Sequence, residues 1–278
     1  MTFQVQEKTI DDNTKLVRFL DLYGAEKSIG TLDHGEINCT YHFGSLIHYQ
    51  TLETNAGDPK EGSTSINLGN GIVGSDTTGN NALVSCWSIW DRQEDPWQAF
   101  ANSSFTQNPK NVCAIISTVG KVRRIFEQIT EINQILFGDN FQHIIFRTEH
   151  RSVIYYPRES GVSREYWENI NDPVMHGLAA RTIHNIFHKR DSNNKGQRYD
   201  AEQEYRFAIV MGIKCFFGSD TNIALGAEDA ILRDYSLILR DGVHYIEKVY
   251  LKTEHPDIEA TCYFVNIHLV KNDQKVLG

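Results

Sequence analysis

Apolar runs short enough to be β-strands recur along this chain and crowd its last third, and this pattern limits the fold more than any other feature. Residues 15–22 form one such run around Arg18, with Leu16, Val17, Phe19 and Leu20 nearly continuous. Residues 36–43, 82–88, 111–117 and 204–211 read the same way, and 143–148 and 152–156 read as a paired set. Residues 235–240 and 243–251 flank Asp241-Gly242, a dipeptide suited to a hairpin turn, and residues 261–270 supply a final strand. Helical patterns fall between them. They cover residues 25–33, 94–101 with Pro96 in the first turn, 120–132 with Val122, Ile125, Phe126 and Ile129 on one face, and 174–188. Strands spread through the chain with helices between, then gathered at the end, predict an α+β fold. Its sheet is mixed and largely antiparallel, with helices packed on it, rather than doubly wound and parallel. Residues 57–81 are rich in Gly, Ser, Thr and Asn and lack periodicity, so they read as the longest loop, of a length often tied to function.

At 278 residues the chain has the length of one large domain spanning 1–278. No run of about 20 apolar residues occurs, and the polar, acidic start does not resemble a signal peptide. Cys39, Cys86, Cys113, Cys215 and Cys262 are odd in number and form no C-x-x-C pair, which points to buried free thiols and a cytoplasmic setting. A net charge of −9 argues against bulk attraction to nucleic acid, leaving only local basic patches such as Lys121, Arg123 and Arg124, or Lys189 and Arg190. His184 and His188 have metal-ligand spacing, but no Glu follows His184, so a helix face is the better reading than a zinc site. Glycine-rich nucleotide loops followed by a helix, and nucleophile elbows, are missing.

Three polar features are unexplained by core packing. Arg18 lies mid-strand in an apolar run, where a guanidinium must snorkel, pair with an acid or hold a ligand anion. Ser85 and Ser88 lie in the apolar strand Leu83-Val84-Ser85-Cys86-Trp87-Ser88, where hydroxyls need partners. Glu202 and Glu204, two apart at the head of a strand, would share a face. Two carboxylates side by side need a cation between them or a shared proton, and can also divide labour as a stabilising group and a base.

These residues carry a resemblance. Arg18-Phe19, Phe43-Gly44-Ser45-Leu46 with Tyr49, Gly57-Asp58-Pro59-Lys60-Glu61-Gly62, Val84 to Ser88 with Trp97, Val153 to Tyr155, and Glu202 to Arg206 resemble segments of a large family of uncharacterised bacterial and phage proteins, across roughly the whole chain. The order of arginine on an early strand, serines on a middle strand and E-x-E on a late strand is similar to the arginine–serine–glutamate class of ADP-ribosyltransferases. That resemblance implies an ADP-ribosyltransferase-like fold with NAD as substrate and no metal. Arg18 would hold the NAD phosphates, Ser88 or Ser85 would order the site, Glu204 would stabilise the sugar cation, and Glu202 would act as base. Ser65, in Ser63-Thr64-Ser65, is a rival serine. Tyr41, Tyr49, Trp87 or Trp90 would stack on nicotinamide, and residues 57–81 would close over the dinucleotide. The acceptor would be protein, nucleic acid or water, and the setting that of a toxin or phage-defence effector with an antitoxin partner. All of this requires the arginine, the serines and the carboxylates to meet in one place. Two other classes stay open: a metal-dependent nuclease using Glu36, Asp58 and Glu61 around Mg²⁺, and a non-enzymatic binding or sensor module in phage defence.

Overall fold

The computed structural model describes residues 10–20, 22–29, 31–33, 36–38, 40–51, 58–77, 82–90, 111–132, 135–136, 142–168, 178–192, 198–217, 220–224, 235–238, 245–253, 258–262, 267–271 and 274–277. Within them the protein is α+β, strand-rich and mostly antiparallel. Its centre is a ten-stranded sheet. Five strands form the middle of that sheet: β8 (Asn111–Thr118), β1 (Lys15–Leu20), β7 (Ala82–Ile89), β14 (Glu204–Phe217) and β10 (Gln142–Ser152), side by side in that order. β17 (Lys248–Thr253) lies outside β8, β9 (Ile135–Leu136) outside β10, and β15 (Asp220–Ala224) pairs with β14.

The sheet forks. β1 meets β7 only at Leu16↔Ile89 and Val17↔Ser88. On the same edge of β7, the strand β4 (Thr40–Ser45) takes over at Gly44↔Val84 and Ser45↔Leu83, and β16 (Tyr235–Ile238) pairs outside β4.

Period-two alternation gives the sheet two different faces. On the first, Leu16, Leu83, Trp87, Phe207 and Ile209 pack beneath Val122, Ile125 and Phe126 of a long helix. That helix, Val119–Ile132, follows β8 directly, and its Lys121 N–H donates to the Thr118 hydroxyl at 3.3 Å, an N-cap. On the second face, Ala82, Val84, Ala208 and Val210 pack under Ile183, Ile186 and Phe187 of the helix Leu178–Phe187 and under Leu46 of the helix Leu46–Thr51.

Two small sheets border the second face. One is β12 (Val162–Ser163), β5 (Ser63–Gly69) and β6 (Ile72–Thr77); the other is the parallel pair of β11 (Ile154–Tyr156) and β13 (His188–Arg190). β2 (Thr31–Asp33) and β3 (Glu36–Asn38) pair with each other, and β18 (Ile258–Cys262), β19 (Ile267–Lys271) and β20 (Gln274–Leu277) form a separate antiparallel set.

Several local expectations change. Residues 57–81 are not one loop, because β5 and β6 form a hairpin whose Gly69, Asn70 and Gly71 all have positive φ (91°, 53° and 76°). The hairpin carries only a weak apolar alternation, because Ile66, Leu68, Ile72 and Val73 are interspersed with Ser, Thr, Asn, Asp and Gly. The segment at 152–156 does not pair with 143–148. Residues up to Ser152 continue β10, and β11 pairs with β13 instead. The strands beside Asp241-Gly242 are not a hairpin pair either: β16 goes to β4 and β17 to β8. The expected strand 261–270 is two strands, and the helix at 25–33 runs Leu22–Ile29 before β2. The helix expected at 94–101, with Trp97, lies outside the described residues.

Candidate functional site

The strands that carry the arginine, serine and glutamate motifs are neighbours: β1, β7 and β14. Val17 lies opposite Ser88, and Ser88 lies opposite Glu204, so one cross-strand row joins all three strands beside Arg18.

Their side chains do not all meet. Arg18, Ser85 and Trp87 point to the first face, and β4 contributes Tyr41 there. The Arg18 guanidinium donates through Nη1 to the His42 carbonyl (3.2 Å) and the Ser85 hydroxyl (3.3 Å), and lies 5.9 Å from the centres of both the Tyr41 and the Trp87 rings. It has no carboxylate partner among the described residues. Trp87 Nε1–H donates to Tyr41 Oη (2.9 Å) and Ser85 Oγ (3.2 Å), and the two hydroxyls are 2.7 Å apart. Tyr41 is fully buried and Trp87 is 2% exposed, so neither ring is open to stack on nicotinamide as expected. Trp90 packs against the cluster of Val17 and Phe19. Ser65 belongs to β5 in a different sheet, where its N–H donates to Tyr156 Oη at 3.1 Å.

Glu204, Ser88 and Cys86 point to the second face, where Tyr49 packs against Cys86. The expected convergence is therefore broken by the sheet itself, since residues an odd number apart on a strand face opposite ways: Arg18 is next to Val17 on β1, and Ser85 is three from Ser88 on β7. Tyr49 lies within electrostatic reach of both halves. Burial raises its phenol well above the usual value, the Cys86 thiol adds to this, Arg18 opposes it and Glu204 reinforces it. Its ring covers Gly44 so closely that a Cβ there would fall 2.6 Å from Tyr49 Cε2.

Glu204 opens β14 in a sealed ionic network. Arg206, 1% exposed, uses all five of its N–H groups. Nε and Nη2 donate to the two Glu204 oxygens (2.7 and 3.0 Å), Nη1 and Nη2 to the two Glu61 oxygens (Nη2 at 3.1 Å), and Nη1 also to the Ile186 carbonyl at 2.5 Å. Lys189, from β13, places its ammonium 3.2 Å from Glu204 Oε2 and 3.2 Å from Glu202 Oε2, with the Tyr199 ring 4.7 Å away. Arg190 pairs with Asp58. Burial alone would raise the Glu204 pKa, but Arg206 and Lys189 outweigh it and hold the carboxyl well below the usual range. Burial would likewise lower Lys189, yet Glu202 and Glu204 hold it above the usual lysine value.

Glu202 is not on the strand. It closes a 3-10 turn, Asp200–Glu202, and Gln203 then takes a left-handed conformation (φ 44°, ψ 50°) before β14 begins. The two acids meet because Lys189 lies between them, not because they share a pleat. Asp58 and Glu61, expected to hold Mg²⁺, are committed to Arg190 and Arg206, while the Glu36 side chain lies outside the described residues. Lys189 and Arg190 are consequently not a surface patch. His184 and His188 fall on a helix end and in β13. His188 Nδ1–H donates to the His184 carbonyl at 2.5 Å, which leaves Nε2 to accept from Tyr166 Oη at 3.0 Å. Among the described residues no group of His, Cys, Asp and Glu is arranged to hold a metal, and no helix is long and apolar enough to cross a membrane.

Sequence reasoning gave Arg206 and Lys189 no role at the acids. The signal for Arg206 was present, since an arginine inside an apolar strand demands a partner, as it does at Arg18. For Lys189 there was none, because its approach depends on how β13 docks. Compared with family models, curated proteins and solved structures, the chain matches none of them.

Proposed function

We propose that this protein is an ADP-ribosyltransferase that moves ADP-ribose from NAD to a macromolecular acceptor, with its chemistry on the Ser88–Glu204 face. The observation that carries this reading is the row Val17, Ser88, Glu204 on three adjacent strands, beside Arg18 and with Tyr49 under the charge of both Arg18 and Glu204. In the reaction the C1′–N bond of NAD breaks and nicotinamide leaves with the electron pair. A nucleophile of the acceptor then bonds to C1′ and gives up its proton. A carboxylate beneath the sugar stabilises the positive charge that develops there, the role assigned to Glu204, and Glu202 takes the proton. Ser88, half-buried opposite Glu204, orders the site.

The test is incubation with labelled NAD and whole-cell lysate, followed by separate recovery of protein and RNA. Label in either fraction, lost in Ser88→Ala, supports the reading. No label and no nicotinamide release from a folded protein rejects it. Glu204→Gln is a weaker probe, because it also opens the ionic network.

A second reading, a non-enzymatic binding or sensor module, is favoured by one observation: Arg206 and Lys189 already neutralise Glu204. NAD that raises the melting temperature without being consumed selects it.

A further inference from the structure

The ammonium of Lys189 occupies the position at which a substrate cation would be stabilised. It lies 3.2 Å from one oxygen each of Glu202 and Glu204 and 4.7 Å from the centre of the Tyr199 ring, a cage of two carboxylates and an aromatic face. Tyr155 closes another side, its hydroxyl accepting the Glu204 backbone N–H at 3.0 Å. The lysine is delivered from outside the large sheet. β13 has three residues and, among the described residues, pairs only with β11, in a two-stranded parallel ladder. Arg190, next in sequence, is tied to Asp58, so the turn Asp58–Glu61 and β13 are held to the sheet by ion pairs.

We infer that Lys189 is an autoinhibitory plug, a tethered cation that fills the Glu202–Glu204 cage and must withdraw before a cationic substrate can use those carboxylates. The inference rests on the ADP-ribosyl reading and adds regulation to the same site. A further cation in contact with the Lys189 ammonium would be strongly repelled by it, because two like charges at contact distance in a buried setting interact strongly. Glu204 also keeps Arg206 when Lys189 leaves, so it stays ionised. Glu202 meets the ammonium through Oε2 at 3.2 Å, so withdrawal of Lys189 uncovers that oxygen. The element to move is β13, whose parallel ladder is short.

Lys189→Ala removes Cγ, Cδ, Cε and Nζ, which n-propylammonium replaces atom for atom. The first readout is the melting temperature of this variant with n-propylammonium chloride against sodium chloride at equal ionic strength. A rise of about 4 °C or more, with none in the wild-type protein, is expected. A folded variant that shows no rise overturns the cage. Should Lys189→Ala not fold alone, refolding in n-propylammonium is expected to recover it, and failure there overturns the cage equally. The double variant Lys189→Ala with Glu202→Gln, which removes one charge of each sign, is expected to fold and to lose most of the rescue; full rescue would overturn the assignment of Glu202.

The second readout is nicotinamide release from NAD. Lys189→Ala is expected to release it about tenfold faster than wild type, with n-propylammonium returning it to the wild-type rate. A rate no higher than wild type, alongside a positive thermal rescue, overturns the plug. If that equality is at zero turnover in both proteins, the ADP-ribosyl reading fails with it; if both turn over equally, only the plug fails.

Discussion

Arg206 and Glu61, 145 positions apart in the chain, are joined by a two-pronged ion pair in the protein interior, with Nη2 3.1 Å from Oε2 and both residues almost fully buried. The same guanidinium holds Glu204 by a second fork. One side chain thereby connects the turn Asp58–Glu61, the carbonyl end of a helix at Ile186 and the start of β14.

Removing that guanidinium leaves two buried carboxylates facing each other. Arg206→Met is expected to lower stability by about 3–5 kcal/mol in urea unfolding. Arg206→Lys keeps the charge but cannot serve both forks, so it is expected to recover less than half of the loss. Near-wild-type stability in Arg206→Met would mean that the network is not formed in solution.

The two serines that sequence reasoning could not choose between now have separable expectations. Ser85→Ala strips an acceptor from Arg18 and from Trp87 in a buried site, so a loss of about 1–3 kcal/mol is expected, with NAD turnover per folded molecule unchanged. Ser88→Ala is expected to leave stability within about 0.5 kcal/mol and to reduce turnover. Measuring both variants by thermal melting and nicotinamide release decides the matter; the reverse pattern would move the site to the Arg18 face.

His188 predicts a pH dependence of stability. Burial depresses its folded pKa to about 4, below the ordinary value near 6.5. In that window the unfolded chain binds the proton and the folded chain does not, so stability falls as the pH drops from about 6.5 to about 4. The total change is roughly 3 kcal/mol, and His188→Gln is expected to flatten this part of the curve. Glu204 adds a separate loss at lower pH. Its folded pKa is depressed, so its contribution is present at neutral pH and declines below about 4, once the unfolded carboxyl begins to bind protons.

Gly44 is small because Tyr49 lies on it. A Cβ at Gly44 would stand 2.6 Å from Tyr49 Cε2 and 2.9 Å from Cζ, on a ring backed by core atoms. Gly44→Ala is expected to cost about 1–3 kcal/mol and to shift the absorbance of Tyr49, with Gly44→Ala/Tyr49→Leu regaining part of the stability. A silent Gly44→Ala would place the Tyr49 ring elsewhere.

Local sequence was enough for much of the secondary structure. The apolar runs around Leu16, Val84 and Ile115 became central strands, and the face Val122, Ile125, Phe126 became the buried side of a helix, because period-two and period-3.6 burial are written in neighbouring residues. The acid pair also announced its own need for a cation, since like charges that close are unfavourable whatever the fold. Tertiary structure alone decided the rest. Which strands pair is a contest between segments far apart, so Tyr235–Ile238 could go to β4 rather than to the strand across Asp241-Gly242. The side of the sheet that Arg18 faces depends on the register of β1 against its neighbours, and a shift of one residue would have put it opposite Ser88, on the face of Glu204. Lys189 reaches the two glutamates only because β13 docks beside β11, and nothing in the residues around 189 encodes that approach.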